Sequence, residues 1–243
     1  MSLARQHRER EAVAVLRAEI AARPDAIAER RLLVRLLAAE GDLPGAQREV
    51  DELERRLPAG DPSPLVELGH AYELAHRFEE ALAAYDDAAA KAPSSPAGPR
   101  AGGMRAARWG ETAVAVPRLE EAIRRGARDA ETYHALGLAL THEQELDRAE
   151  VAYRAGIAAD PGAVENLLGL ATLALRRKDF DGALGAYDEI LRRRPRFASG
   201  HLGRAYCLIQ LGRRDQAKAA LDDALAAGAE PTFVEKQRGL LIR

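Results

Sequence analysis

The chain has 243 residues, of which 47% are hydrophobic, 5% are aromatic and 30% are charged, and its formal net charge is −2. Such a mixed and nearly balanced charge excludes a strongly basic binder of polyanions. The single cysteine, Cys207, excludes an intrachain disulfide, and we expect it to be a small buried residue. No stretch is long and apolar enough for a signal peptide or a membrane span. We therefore expect a cytoplasmic protein, or a periplasmic or envelope-associated one if a leader has been removed.

The first predicted element is a helical half repeat over residues 1–26. Ala12, Leu16 and Ile20 recur at helical spacing, and Pro24 follows them. Because proline lacks the backbone amide and clashes with the preceding turn, Pro24 is expected to end this helix.

Six repeats are predicted next, over residues 27–61, 62–95, 96–129, 130–163, 164–197 and 198–231. They are identified by alanines that recur every 34 residues after a first interval of 35, namely Ala46, Ala81, Ala115, Ala149, Ala183 and Ala217. Large apolar residues lie four positions later: Val50, Tyr85, Leu119, Tyr153, Tyr187 and Leu221. A fixed period in this range is typical of stacked helical repeats.

Each repeat contains two apolar stripes of helical spacing, which predicts two short antiparallel helices. In residues 164–197 the first stripe includes Leu167 and Leu170, the second includes Tyr187 and Ile190, and Pro195 ends the second helix. We expect the repeated alanine to lie where the two helices cross most closely, since a larger side chain there would push them apart.

The third and sixth repeats depart from this pattern. Pro99 and the Gly102–Gly103 pair weaken the first helix of the third repeat, and Pro117 interrupts its second helix. Two interpretations stay open for this repeat: a kink that its neighbours tolerate, or a hinge. In the sixth repeat Arg204 occupies a position where leucine is usual. A capping helix is predicted over residues 232–243, and the residues that fit it are Phe233, Val234, Gln237 and Leu241.

The sequence resembles the tetratricopeptide repeat family. The resemblance is clearest in the second repeat, through Leu65, Leu68, Gly69, Tyr72, Phe78, Ala81, Tyr85, Ala88 and Pro93. It implies an all-α fold: a right-handed α–α superhelix of about six helix-turn-helix repeats with half-repeat caps at both ends. Such stacks use an extended concave surface to bind partners.

The resemblance also implies that the first helix of each repeat lines that concave groove. By helical phase, the groove is charged in its N-terminal half and apolar in repeats 4–6. The predicted partner-binding residues are Arg31, Arg35, Arg100, His134, Leu138, Leu168, Thr172, Leu175, Leu202, Tyr206 and Ile209. Gly169 and Gly203 are expected to leave room for a ligand to approach the backbone. We expect a peptide segment or an amphipathic helix of another protein in the apolar half. The alternative is that these apolar side chains pack within the superhelix or beneath the C-terminal helix.

Family members that bind chaperone tails hold a C-terminal carboxylate with lysine, asparagine and arginine on three successive first helices. Arg31 and Arg35 resemble the first pair, but Glu67 stands where asparagine is needed, and Ala97 and Ala101 follow. A glutamate there would repel the carboxylate, which argues against this specialisation.

No catalytic or cofactor motif is evident. The six histidines lack metal-ligand spacing, no cysteine pair accompanies them, and neither a nucleophile elbow nor a phosphate-binding loop is present. The only tryptophan, Trp109, is interpreted as a packed helix end, and the alternative is a platform for a ligand. We therefore predict no enzyme, no cofactor, no metal and no small-molecule substrate.

The leading hypothesis is a scaffold or adaptor that binds another protein, and two alternatives stay open. One is a bacterial envelope assembly factor, because small pilotins of type IV pilus secretins resemble six such repeats; they begin with a lipidated cysteine that this sequence lacks. The other is an RNA-binding array similar to pentatricopeptide proteins, whose groove must be positive. The net charge of −2 and the glutamates in the groove argue against RNA binding.

Overall fold

The computed structural model describes residues 3–240, which contain α-helices and no strand. The helices in this range are α1 (Leu3–Ala22), α2 (Ile27–Ala39), α3 (Leu43–Arg56), α4 (Ser63–Leu74), α5 (Phe78–Lys91), α6 (Ala97–Trp109), α7 (Thr112–Arg124), α8 (Ala130–His142), α9 (Leu146–Ala159), α10 (Val164–Arg176), α11 (Phe180–Arg193), α12 (Ala198–Gln210), α13 (Arg214–Ala226) and α14 (Pro231–Leu240). The predicted all-α repeat fold is confirmed. Leu241, which we expected in the capping helix, lies outside the described residues.

Two compact units make up the chain, and each is described by itself. Unit 1 comprises residues 1–127 and unit 2 comprises residues 128–243. In both units the repeated alanines are fully buried: Ala46, Ala81 and Ala115 in unit 1, and Ala149, Ala183 and Ala217 in unit 2. Their burial agrees with a close helix crossing at each alanine.

The turn inside each helix pair has the same backbone conformation. The φ angle is positive at Gly41, His76, Gly110, Gln144, Lys178 and Gly212. In the first of these turns the amide of Gly41 donates to Ala38 O (3.0 Å) and the amide of Asp42 donates to Leu37 O (2.8 Å). These bonds satisfy carbonyls that the end of a helix would otherwise leave unpaired. Non-glycine residues at three of the six positions carry a small conformational cost.

Tyrosines of the second helices fill the space beside glycines of the first helices. A Cβ on Gly137 or on Gly169 would overlap the ring of Tyr153, and a Cβ on Gly203 would overlap the ring of Tyr187. The expectation that Gly169 and Gly203 leave room for a ligand is therefore wrong. The absent side chains make room for the protein's own aromatic rings.

The third predicted repeat keeps both of its helices. Pro99 is the third residue of α6, where the backbone amides have no partner within the helix, so it does not interrupt the helix. Gly98 lets α6 approach α5 closely, since a Cβ there would lie 2.5 Å from the backbone nitrogen of Ala89. Pro117 lies inside an unbroken α7, on an exposed position. The hinge hypothesis stays a prediction.

A local contact explains one further departure from the pattern. The guanidinium of Arg204 donates to Asp188 (Nε–Oδ1 2.6 Å), so its charge is paired where leucine would have packed.

Cys207 is fully buried as expected, and burial raises the pKa of its thiol to about 11. In the capping helix α14 Val234 is fully buried, whereas Phe233 is exposed.

Candidate functional site

Unit 2 exposes large apolar side chains on its first helices. Leu138 on α8 is 41% exposed and Tyr206 on α12 is 39% exposed. Thr172 occupies the equivalent position on α10, and its hydroxyl donates to Leu168 O (2.9 Å) within the helix. The three residues are spaced by 34, so they occupy one position in successive helix pairs. A single exposed apolar residue means little by itself, but Leu138 and Tyr206 are exposed at equivalent positions of α8 and α12, and Thr172 is exposed between them on α10.

The other apolar residues predicted for this face are less accessible. Leu168, Leu175, Leu202 and Ile209 are partly buried and pack against the core of unit 2. Each stabilises the unit and leaves only part of its surface for a partner.

His134 on α8 is partly buried and not a fully solvated groove residue. Its ring centroid lies 5.9 Å from that of Tyr153, and its Nδ1 is buried without a hydrogen-bond partner among the described residues. Burial lowers the pKa of His134. Burial thus disfavours the charged imidazolium, and the ring packs beside Tyr153.

The predicted cationic residues of unit 1 are held by neighbours. Arg31 donates to the hydroxyl of Ser63 (2.7 Å), and Arg100 is partly buried on α6. Arg35 makes a bidentate contact with Glu67, with Nε–Oε2 at 2.9 Å and Nη2–Oε1 at 2.8 Å. Planar pairing of this kind is the strongest form of arginine–carboxylate contact.

Glu67 is an interior residue and not a free groove carboxylate, because only 7% of its surface is exposed. Burial acts to raise the pKa of Glu67, but contacts with His70 and Arg35 outweigh burial and hold the pKa at about 2. The distance of 3.7 Å from His70 Nδ1 to Glu67 Oε2 exceeds a hydrogen bond, so Arg35 is the principal partner. The Glu67 carboxylate is therefore turned to Arg35 and not to a ligand in the groove. About half of the Arg35 side chain stays exposed.

Unit 1 also contains a cleft of about 670 Å³, whose aromatic wall we did not predict from the sequence. It is lined by Arg35, His70, Glu73, Leu74, His76, Phe78, Arg105, Arg108 and Trp109. The rings of Phe78 and Trp109 pack with centroids 4.6 Å apart. Trp109 is thus a packed helix end, as interpreted, and at the same time part of the wall of an open cleft.

Neither a metal-binding cluster nor a membrane-spanning helix is found within residues 3–240. That range holds no group of three or more histidine, cysteine, aspartate or glutamate side chains that could bind a metal ion. None of the helices in the same range is long and apolar enough to span a bilayer.

Comparisons with known proteins agree with this repeat pattern. Two models of the tetratricopeptide repeat match the chain, over residues 100–164 and 174–233, and together they span just over half of it. The fold is similar to that of YrrB, described as a TPR protein with an unusual peptide-binding site (16% identity, TM-score 0.67, 78% of this chain and 97% of that chain).

Two further structures share the fold. One is the C-terminal part of a TPR repeat-containing protein from Cytophaga hutchinsonii (15% identity, TM-score 0.71, 96% of this chain and 95% of that chain). The other is MamA from Desulfovibrio magneticus RS-1 (21% identity, TM-score 0.56, 70% of this chain and 95% of that chain).

Proposed function

Because this chain belongs to the tetratricopeptide repeat family, we propose that it is a non-enzymatic scaffold or adaptor whose unit 2 binds a segment of another protein. The binding surface in this proposal is the groove along α8, α10 and α12, and its ligand is an extended peptide or an amphipathic helix. The observation that carries the proposal is the exposure of Leu138 and Tyr206 at equivalent positions of these first helices.

Two other observations support a protein ligand. The similar protein YrrB has a peptide-binding site. The apolar face offers aliphatic and aromatic side chains rather than the basic groove that RNA phosphates require. A protein segment with apolar anchors at helical or alternating spacing fits such a face.

The surface can be tested with a double variant, Leu138→Glu with Tyr206→Ala. Both side chains are about two-fifths exposed, so we expect the melting temperature to change little while capture of at least one protein from the native host is lost. Leu168→Glu is a poorer choice, since Leu168 packs against the core.

Val151→Glu is the matched control. Val151 is 67% exposed on α9, a second helix, so a new charge there lies off the proposed surface. We expect Val151→Glu to retain the same proteins as wild type in a quantitative affinity comparison. Retention by the double variant of every protein that wild type captures would refute the proposed surface.

A further inference from the structure

The cleft of unit 1 places an aromatic wall beside cationic side chains. Phe78 begins α5 and is 43% exposed, Leu74 ends α4 and is exposed, and Trp109 ends α6 in contact with Phe78. Aromatic surface that stays accessible at the end of a helix is available to stack with a ligand ring. This wall lies outside the apolar face of unit 2 and is not used by the proposed function.

The charges of the cleft favour an anionic ligand. The guanidinium of Arg35 pairs with the buried carboxylate of Glu67, and about half of the Arg35 side chain is exposed to solvent. Arg105 pairs with Glu73 (Nε–Oε2 2.9 Å). Arg108 is exposed in the last turn of α6, and no ion pair is formed by it within the described part of the chain. The guanidinium groups of Arg35, Arg105 and Arg108 are thus balanced by only two carboxylates, those of Glu67 and Glu73. The cleft keeps one excess positive charge.

We propose that this cleft is a second binding site, for a protein segment that carries an aromatic side chain next to acidic side chains. The aromatic side chain would pack on Phe78 and Trp109, and a neighbouring carboxylate would pair with Arg108. Charge-assisted pairing of arginine with a carboxylate gives such a contact both strength and direction. The volume of about 670 Å³ falls within the range of small-ligand sites and suits one aromatic residue with its flanking side chains.

The anion proposed here is a side-chain carboxylate and not the carboxylate of a chain terminus. The anion is a side-chain carboxylate close to an aromatic ring, and the recognition elements are one unpaired arginine and an aromatic wall. A peptide whose C-terminus is amidated should therefore bind as well as one with a free terminus.

The intrinsic fluorescence of Trp109 provides a direct test, because it is the only tryptophan in the chain. The probe is an acetylated and amidated nonapeptide with one phenylalanine flanked on each side by two glutamates, with glycine and serine at the ends. We expect a saturable change in Trp109 emission. We expect at least tenfold weaker binding when the phenylalanine is replaced by serine or the glutamates by lysines. No saturable change, or equal affinity for the lysine peptide, would overturn the proposal.

Variants assign that signal to the cleft. Arg108→Glu is expected to weaken binding of the nonapeptide at least tenfold, and Arg48→Glu is the matched control because Arg48 is exposed on α3 and does not line the cleft. Phe78→Ala should have a similar effect, checked by thermal melting. Since Arg108 is exposed, Arg108→Glu decides the question even if Phe78→Ala fails to fold. Wild-type affinity in Arg108→Glu would contradict the site.

The proposals for the two sites can be tested independently of each other. The Leu138→Glu and Tyr206→Ala double variant is expected to bind the nonapeptide with wild-type affinity, because neither residue lines the cleft. Loss of nonapeptide binding in that variant would show that the fluorescence signal does not come from the cleft alone, and would count against this proposal.

Discussion

Replacement of Tyr85 by alanine is expected to lower the free energy of unfolding of unit 1 by about 3–5 kcal/mol. Tyr85 is fully buried on α5, and its ring lies against the backbone of α4 at Gly69, where a Cβ would overlap the ring. Since Gly69 has no side chain that could move into the space, the cavity would stay largely empty. Urea unfolding followed by Trp109 fluorescence measures the effect, because Trp109 also lies in unit 1.

Tyr85→Phe is the control for this prediction. It keeps the ring and removes only a hydroxyl that is buried without a hydrogen-bond partner among the described residues. We expect its free energy of unfolding to stay within about 1 kcal/mol of wild type. A cost below about 1 kcal/mol for Tyr85→Ala would show that the ring does not hold α4 and α5 together.

Gly98→Ala is expected to destabilise unit 1 by about 1–3 kcal/mol, although alanine is the better helix former. A Cβ at Gly98 would lie 2.5 Å from the backbone nitrogen of Ala89 and 2.7 Å from the carbonyl oxygen of Tyr85. Both are backbone atoms, so α5 and α6 would have to move apart. Urea unfolding with Trp109 fluorescence again reports the change.

Gly185→Ala makes the same chemical change in an open environment. A Cβ at Gly185, inside α11, would meet no atom within 4 Å. We expect this variant to be more stable than wild type by up to about 1 kcal/mol, measured by circular dichroism during urea unfolding. If both alanine variants shift stability in the same direction, close backbone approach is not what requires glycine at position 98.

The sequence predicted the helix pairs well because one small residue is required at each crossing. The repeated alanines are all fully buried, and a 34-residue period is visible without any structure. The sequence also indicated which glycines lie on first helices. It could not show which neighbour fills the space beside them, since Tyr153 and Tyr187 reach Gly169 and Gly203 only through the packing of successive helices.

The candidate site was predicted only in part. Helical phase placed Leu138 and Tyr206 off the packing stripe, where both are exposed, but it did not distinguish them from Leu168 or Ile209, which also pack against the core. Phase depends only on position along a helix, whereas burial depends on the neighbouring helices as well.

The aromatic wall of the cleft of unit 1 could not be predicted in the same way. The lining of the cleft comes from α2, α4, α5 and α6 and from the turn between α4 and α5. Phe78 and Trp109 stand at helix ends, outside the periodic stripes, so no spacing links them. The tight pairing of Arg35 with Glu67 was missed for a similar reason, because the two residues are 32 positions apart on different helices.

The most direct test of the proposed function is site-specific photo-crosslinking in the native host. p-Benzoylphenylalanine is introduced in place of Tyr206 on α12 or, in a separate variant, in place of Val151 on α9; both positions are exposed. We expect irradiation to link a defined partner protein to position 206 and not to position 151. Crosslinks to the same protein in equal yield from both positions, or from position 151 alone, would contradict the assignment of the first helices of unit 2 as the binding surface.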